Sequence, residues 1–261
     1  MRISVYQVDA FASRPFEGNP AAVCPLESWL PDAMLQSIAA EHNLAETAFY
    51  VPENGGYRIR WFTPEVEVEL CGHATVAAAH VIVNVRRESQ ARRLVFQSLS
   101  GELPVDIGDN LYSLDFPSRP PQPCDVPANV AAALGTAPET VLAARDYFCV
   151  FANEDQLLAL KPDMAAVAAL DRFAVIATAP GSDCDFVSRF FAPAKGIPED
   201  PVTGSAHCSL IPYWAERLGK STLFARQKSR RGGELWCADR GPRVIIAGHA
   251  VTYSQGTIEL P

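Results

Sequence analysis

The sequence predicts an α+β protein made of two half-chains, residues 1–117 and 118–261, with the last strand free to return to the first half. Three observations carry that reading. Pro117, Pro120, Pro121 and Pro123 fall close together near the middle of the chain, beside Ser118 and Arg119, and mark a linker. A pattern of strand, proline turn, Gly-x-Ala and apolar helix occurs once on each side of that linker. Strands and helices do not alternate regularly, and there is no GxGxxG or Walker loop, which argues against a doubly wound parallel sheet.

In chain order, Ile3, Val5, Tyr6 and Val8 read as a strand, followed by a turn-rich loop from Ser13 to Pro20. Pro31 and Asp32 open a helix whose buried face is Leu35, Ile38 and Ala39, and which fades near His42 and Asn43. Tyr57–Phe62 sets Tyr, Ile and Trp against Arg58 and Arg60, a strand with one apolar face. Glu65, Glu67 and Glu69 share a strand period and are expected to face solvent. Gly72-His73-Ala74-Thr75 then runs into the apolar stretch Val76–Val85, whose small residues favour a tightly packed, fully buried helix. Strands follow at Leu94–Gln97, Leu103–Ile107 and Leu111–Phe116. Beyond the linker the spacing predicts helices near Val126–Leu134 and Pro138–Ala144, strand Tyr147–Phe151, and a helix from about Asp155 to Leu170. Strands Phe173–Ala177 and Asp185–Phe191, a helix Gly204–Leu218 and several C-terminal strands complete the chain.

Composition limits the function. With 22 basic against 30 acidic residues the net charge is −8, and the pI is near 5.2. Nucleic-acid and anionic-membrane surfaces need clustered Lys and Arg, so no such partner is expected. No run approaches the roughly 18 apolar residues of a membrane span, and Met1–Phe11 lacks the signature of a signal peptide. A cytoplasmic protein is the expectation. Seven cysteines, an odd number without tight spacing, read as free, mostly buried thiols. Cys71, His73, His207 and Cys208 can be imagined as zinc ligands, but no CxxC or HxxxH spacing supports that, and no metal is expected.

The internal repeat is the informative feature. Arg60-Trp61-Phe62-Thr63-Pro64 and Arg189-Phe190-Phe191-Ala192-Pro193 match at an offset of 129. Gly72 follows the first proline by 8 residues and Gly204 follows the second by 11, so a three-residue insertion near Gly196–Pro198 reconciles them. If two such lobes face each other, both helix N-termini enter the cleft between them and favour an anion there. Glycine at 72 and 204 lets a ligand approach the backbone. A small carboxylic acid is the substrate that fits.

Glu46 lies where a helix gives way to an apolar strand, and a carboxylate in an apolar wall is suited to proton transfer; it can equally be an ordinary cap. His73, directly after a glycine at a helix start, is expected to be held neutral by the helix dipole, as a hydrogen-bond partner or acid/base, or else to be structural. Asp200 caps the second helix or binds an amine or imidazole. Cys71 invites a two-thiol racemase, but Pro201 and Val202 stand where its counterpart would be, so it reads as a packed thiol.

Six segments, in this order, resemble the PhzF-like (phenazine biosynthesis) isomerase family over essentially the whole chain. They are Val8-Asp9-Ala10-Phe11, Phe16–Val23, Asn43-Leu44-Ala45-Glu46-Thr47, Arg60–Pro64, Leu70–Thr75 and Glu199–Ala206. The resemblance implies a fold like diaminopimelate epimerase, two pseudo-symmetric lobes each wrapping a mixed sheet around a central helix, with the active site between them. It implies Glu46 as the acid/base, with His73, Asp200 and Ser205 positioning substrate and assisting proton movement. It also implies a homodimer needing neither metal nor organic cofactor. The reaction named for the family shifts a proton on trans-2,3-dihydro-3-hydroxyanthranilate. Glu46 would take the C3 proton and return it to another ring carbon on the same face, while the helix mouths at Gly72 and Gly204 hold the carboxylate. The residue before the glutamate is commonly serine in the family and is Ala45 here. A cofactor-independent amino-acid epimerase and a non-catalytic metabolite- or protein-binding member are the alternatives.

Overall fold

The computed structural model describes residues 1–260, which form two compact units: Met1–Asp115 with the chain from Ala247 onward, and Phe116–Ile246. The first unit runs β1 (Arg2–Ala10), β2 (Asn19–Pro25), α1 (Asp32–His42), β3 (Glu46–Glu53), β4 (Gly56–Phe62), β5 (Glu67–Val68), α2 (Gly72–His80), β6 (Arg93–Ser98), β7 (Gly101–Ile107) and β8 (Leu111–Pro117). β1–β2 and β3–β4 pair antiparallel, β2–β3 and β4–β6 parallel, and β6–β7 antiparallel. The second unit runs β9 (Gln122–Pro123), α3 (Val130–Leu134), β10 (Thr140–Ala143), β11 (Tyr147–Val150), α4 (Glu154–Leu158), α5 (Met164–Ala168), β12 (Val175–Pro180), β13 (Phe186–Phe191), α6 (Gly204–Leu218), β14 (Thr222–Gln227), β15 (Gly233–Asp239) and β16 (Arg243–Glu259), whose far end belongs to the first unit. From β10 to β15 the pairings repeat the same series: antiparallel, parallel, antiparallel, parallel, antiparallel.

The repeated motif also repeats an ion pair. Arg60 grips Glu67 through Nε and Nη2, each 2.7 Å from a carboxylate oxygen. Arg189 grips Glu199 the same way, at 2.8 and 3.0 Å. The partners are 7 residues apart in one unit and 10 in the other, which is the three-residue insertion seen in the sequence. Glu67 is therefore not a solvent-facing charge: Arg60, at 19% side-chain exposure, draws it in to 26%.

Strand periodicity decides what faces what. On β3, Phe49 and Val51 pack with Leu35, Ile38 and Ala39 of α1. Glu46 and Ala48, two residues apart, point to the opposite face. Every residue of β3 from Thr47 to Val51 is buried, as expected of a strand covered on both sides. α2 is buried from His73 to His80. Its alanines bring the backbone close to its neighbours. The helical geometry does not run unbroken to Val85: the α-helix ends at His80 and a π-helical turn carries the chain on from Val81.

In the second unit three expected helices change. Pro138–Ala144 is not a helix; Thr140–Ala143 pairs with Tyr147–Val150 as a strand, because the ladder satisfies its backbone where an isolated short helix would not. The stretch from Asp155 to Leu170 breaks at Pro162, which disfavours helical geometry at Lys161. A new helix starts where Asp163 accepts from the N–H groups of Ala165 and Ala166 at 2.9 and 3.2 Å. Nearer the linker only Val130–Leu134 is helical. Pro212 sits inside α6, lacks an N–H and so strands the carbonyl of Cys208; the backbone N–H of Arg119 takes up that carbonyl at 2.8 Å. Gly18 is required where it stands, since its φ is +67° and a Cβ would lie 2.1 Å from the Ala10 carbonyl oxygen. Among the described residues no helix is long and apolar enough to cross a membrane.

Candidate active site

In the first unit, two turns of chain put three chemically active side chains together. α1 ends at Asn43 in left-handed geometry, φ 48°, which reverses the chain and starts β3 at Glu46. After β5 the chain enters α2 with Cys71 extended at its N-cap and Gly72 and His73 as its first residues. His73 Nε2 then lies 3.1 Å from Glu46 Oε2. The contact is close but off the axis of a hydrogen bond, so that buried carboxylate oxygen lacks a well-directed donor. Cys71 Sγ is 3.5 Å from His73 Nδ1 and 4.0 Å from Nε2. No side chain caps α2, although the Thr75 hydroxyl donates to the Cys71 carbonyl at 2.6 Å.

The electrostatics differ from the sequence expectation at His73. Burial pushes the imidazole down, but its neighbours Cys71 and Glu46 outweigh it and hold the ring well above the usual histidine range. The shift is thus upward, opposite to the lowering expected from a helix dipole. The dipole acts on all groups near the helix mouth, whereas the carboxylate acts from 3.1 Å. Cys71 is pushed up by burial and by Glu46, partly offset by His73. Among the described residues, one group of three His, Cys, Asp or Glu side chains comes within metal-ligating range: Glu46, Cys71 and His73, all within 4.8 Å of one another.

The second unit holds the remaining sequence-predicted residues. The Asp200 carboxylate accepts a short hydrogen bond from the hydroxyl of Thr203, the residue that precedes α6. Gln227 braces this turn, accepting from the Thr203 N–H at 2.8 Å and donating to the Asp200 carbonyl at 2.8 Å. Gly204 has open space around it: an added Cβ would meet nothing within 4 Å. The Ser205 hydroxyl accepts from Arg145 at 3.2 Å, and that guanidinium also holds Asp146 and stacks 4.3 Å over Phe173. His207 is fully buried, donates from Nδ1 to the Thr203 carbonyl at 2.8 Å, and is pushed down to about 4 by burial.

The other histidines have structural partners. His80 meets the Tyr112 hydroxyl at 3.1 Å and Thr252 Oγ1 at 2.9 Å, and His42 meets Thr47 Oγ1 at 3.2 Å. Sequence reading overlooked Gln227 and Arg145. Neither belongs to a motif, and each reaches its place only through strand pairing and chain reversal. Cys71 is a buried free thiol, in keeping with its reading as packing.

Residues 8–256 match the family described as phenazine biosynthesis-like protein. The chain is 55% identical to an uncharacterised isomerase of Pseudomonas aeruginosa, with all of both chains covered. It is similar to the crystal structure of a PhzF-family phenazine biosynthesis protein from Enterococcus faecalis, at TM-score 0.98 and 48% identity, again covering all of both chains. A hydroxyproline epimerase from Agrobacterium vitis, solved with trans-4-hydroxy-L-proline, shares the mixed, sheet-rich fold alone: TM-score 0.60, 10% identity, 98% of this chain and 92% of that one. By full-length sequence similarity and by fold, the chain belongs to the phenazine biosynthesis-like (PhzF) family and is an isomerase.

Proposed function

We propose that this isomerase moves a proton on a small cyclic amino or hydroxy acid, of the dihydrohydroxyanthranilate kind, with Glu46 as the single acid/base and no cofactor. The observation that carries the proposal is the Glu46 carboxylate itself. It is held 3.1 Å from His73, whose ring is pushed toward its protonated form, at the mouth of a buried helix, with one oxygen lacking a well-directed donor. Glu46 takes a proton from carbon, the electron pair shifts along the conjugated system, and the protonated Glu46 returns the proton to another carbon. One C–H bond breaks and one forms, with no net oxidation. The His73 cation steadies the carboxylate and the negative charge that develops on the substrate.

In this reading Gly72 and Gly204 offer helix N–H groups to the substrate carboxylate, and Asp200 and Ser205 bind its polar substituents. Arg145, hydrogen-bonded to Ser205, supplies a positive charge for the same acid. The half-chains act as two lobes of one duplicated design, and the protein works as a cytoplasmic homodimer.

NMR with trans-2,3-dihydro-3-hydroxyanthranilate in D2O tests this directly. The expected result is consumption with the C3 proton moved or exchanged by the wild type and not by Glu46→Gln; turnover by the variant at the wild-type rate overturns it. A second reading, a cofactor-independent epimerase, is favoured by one contact, Cys71 Sγ at 3.5 Å from His73 Nδ1. It predicts the reverse: Cys71→Ser is inactive and Glu46→Gln retains activity.

A further inference from the structure

Gln227 ends β14 as a polar side chain at 1% exposure, in a ladder that pairs it with Ser188 of β13 and Gly233 of β15. A buried amide is costly unless its hydrogen bonds are made, and here they all go to one turn. Oε1 accepts from the Thr203 N–H at 2.8 Å. Nε2 donates to the Asp200 carbonyl at 2.8 Å and to the Thr203 hydroxyl oxygen at 3.1 Å. These partners fix which way the amide faces, since an N–H only donates and a carbonyl only accepts. A hydroxyl that accepts from Gln227 has its own proton left to give, and the Asp200 carboxylate takes it. The chain of bonds therefore runs one way, from Gln227 through Thr203 to Asp200. His207 steadies the same turn from α6, donating from Nδ1 to the Thr203 carbonyl at 2.8 Å.

Two contrasts separate this arrangement from ordinary support of a loop. Thr203 precedes α6 in extended geometry, where a threonine commonly caps the helix. Its side chain makes no capping bond and serves Asp200 instead. The internal repeat supplies the second contrast. Arg58 pairs with Gln97 in the first unit as Val187, 129 residues on, pairs with Arg226 in the second, so Gln227 corresponds to Ser98. The Ser98 hydroxyl donates to the Gly101 carbonyl at 2.8 Å and accepts from the Ser100 N–H, so it serves its own hairpin turn. The repeated strand framework is thus built without a long amide at that position. The amide goes with the turn that carries Asp200.

We propose that Gln227 is a positioning residue for the reaction: through Thr203 it holds the Asp200 carboxylate in the orientation that receives the substrate's polar group. The relay itself stands on the bonds above. Its bearing on turnover rests on the reading of Asp200 as a substrate-binding residue.

The NMR resonance of the Asp200 side-chain carboxyl carbon, assigned by its disappearance in Asp200→Asn, reports on the relay with no substrate present. Gln227→Met keeps the bulk of the side chain and removes its hydrogen bonds; Thr203→Val removes the hydroxyl alone. Both are expected to move the resonance, and the double variant to move it no further than the larger single change, because each acts on the same bond. Thr203→Ser keeps the hydroxyl and leaves the resonance near its wild-type position. Gln227→Asn, an amide one methylene too short to reach the turn, takes the place of Gln227→Met if that variant does not fold. A resonance unmoved by the Gln227 change, or full additivity in the double variant, overturns the relay. Turnover of trans-2,3-dihydro-3-hydroxyanthranilate is expected to fall at least about tenfold in kcat/KM in Gln227→Met and Thr203→Val, and to be restored in Thr203→Ser. Wild-type turnover in Gln227→Met beside an impaired Asp200→Asn overturns the positioning role and leaves Asp200 in the site. Wild-type turnover in Asp200→Asn overturns the place of Asp200 in the site, and the positioning role with it.

Discussion

Replacing Glu46 by glutamine keeps the shape of the side chain and removes one charge 3.1 Å from His73 Nε2. At that distance, with an effective dielectric near 20, the gross attraction is about 5 kcal/mol. Both side chains are largely buried, at 8% and 14% exposure, so desolvation cancels much of that. The contact is poorly directed as a hydrogen bond, which puts the net loss in the variant at about 1–2 kcal/mol. The loss stays below the roughly 3–5 kcal/mol of a stranded buried charge because His73 can shed its proton. Activity responds more strongly: losing a positioned acid/base costs about 10²–10⁴ in rate, or about 3–5 kcal/mol of barrier.

The pH dependence follows from His73. Its proton is held more tightly in the folded than in the unfolded chain, because Cys71 and Glu46 overcome the burial that opposes it. The stability this contributes is fully present below the unfolded imidazole range, near pH 6.5, and is lost as pH rises through the folded value. Glu46→Gln lowers that folded value, so the stability gap between wild type and variant narrows as pH rises. Urea unfolding at several pH values, histidine NMR titration and the D2O assay measure the three consequences. A variant within tenfold of wild-type turnover, or a His73 titration that does not move, refutes the reasoning.

Three further outcomes are expected. Thr178→Val removes a hydroxyl that donates to the Val187 carbonyl at 2.7 Å and accepts from the buried Trp214 indole N–H at 2.9 Å, so the indole loses this acceptor. Chemical unfolding should show a loss of about 1–3 kcal/mol, with a neutral result counting against the bond. Gly18→Ala places a Cβ against the Ala10 carbonyl at φ +67°, and thermal melting should show a loss exceeding about 1 kcal/mol. Arg145→Ala raises KM for a carboxylate substrate about tenfold with a smaller change in kcat; an unchanged KM excludes Arg145 from binding.

The repeat was legible because it is written in local pattern. An arginine in an aromatic strand, a proline, then a glutamate recur at spacings of 7 and 10, and the ion pairs Arg60–Glu67 and Arg189–Glu199 close over those spacings. The sequence also named Glu46 and His73 together, since helix end, strand start and Gly-x-Ala are short-range signals. Where proximity in sequence misled, a longer-range contact had won. Thr140–Ala143 became a strand because Tyr147–Val150 was there to pair with it, and Glu67 turned inward because Arg60 waited there.

By itself the sequence determined the mixed helix-and-strand class, the family and the acidic net charge of the protein. These depend on composition and on motifs a few residues long. Only the tertiary structure decided the direction in which His73 is shifted and the place of Cys71. A titration is set by the sum of burial and neighbouring charge at a few ångströms, and Glu46 and His73, 27 residues apart in the chain, meet only after β3 and α2 have packed.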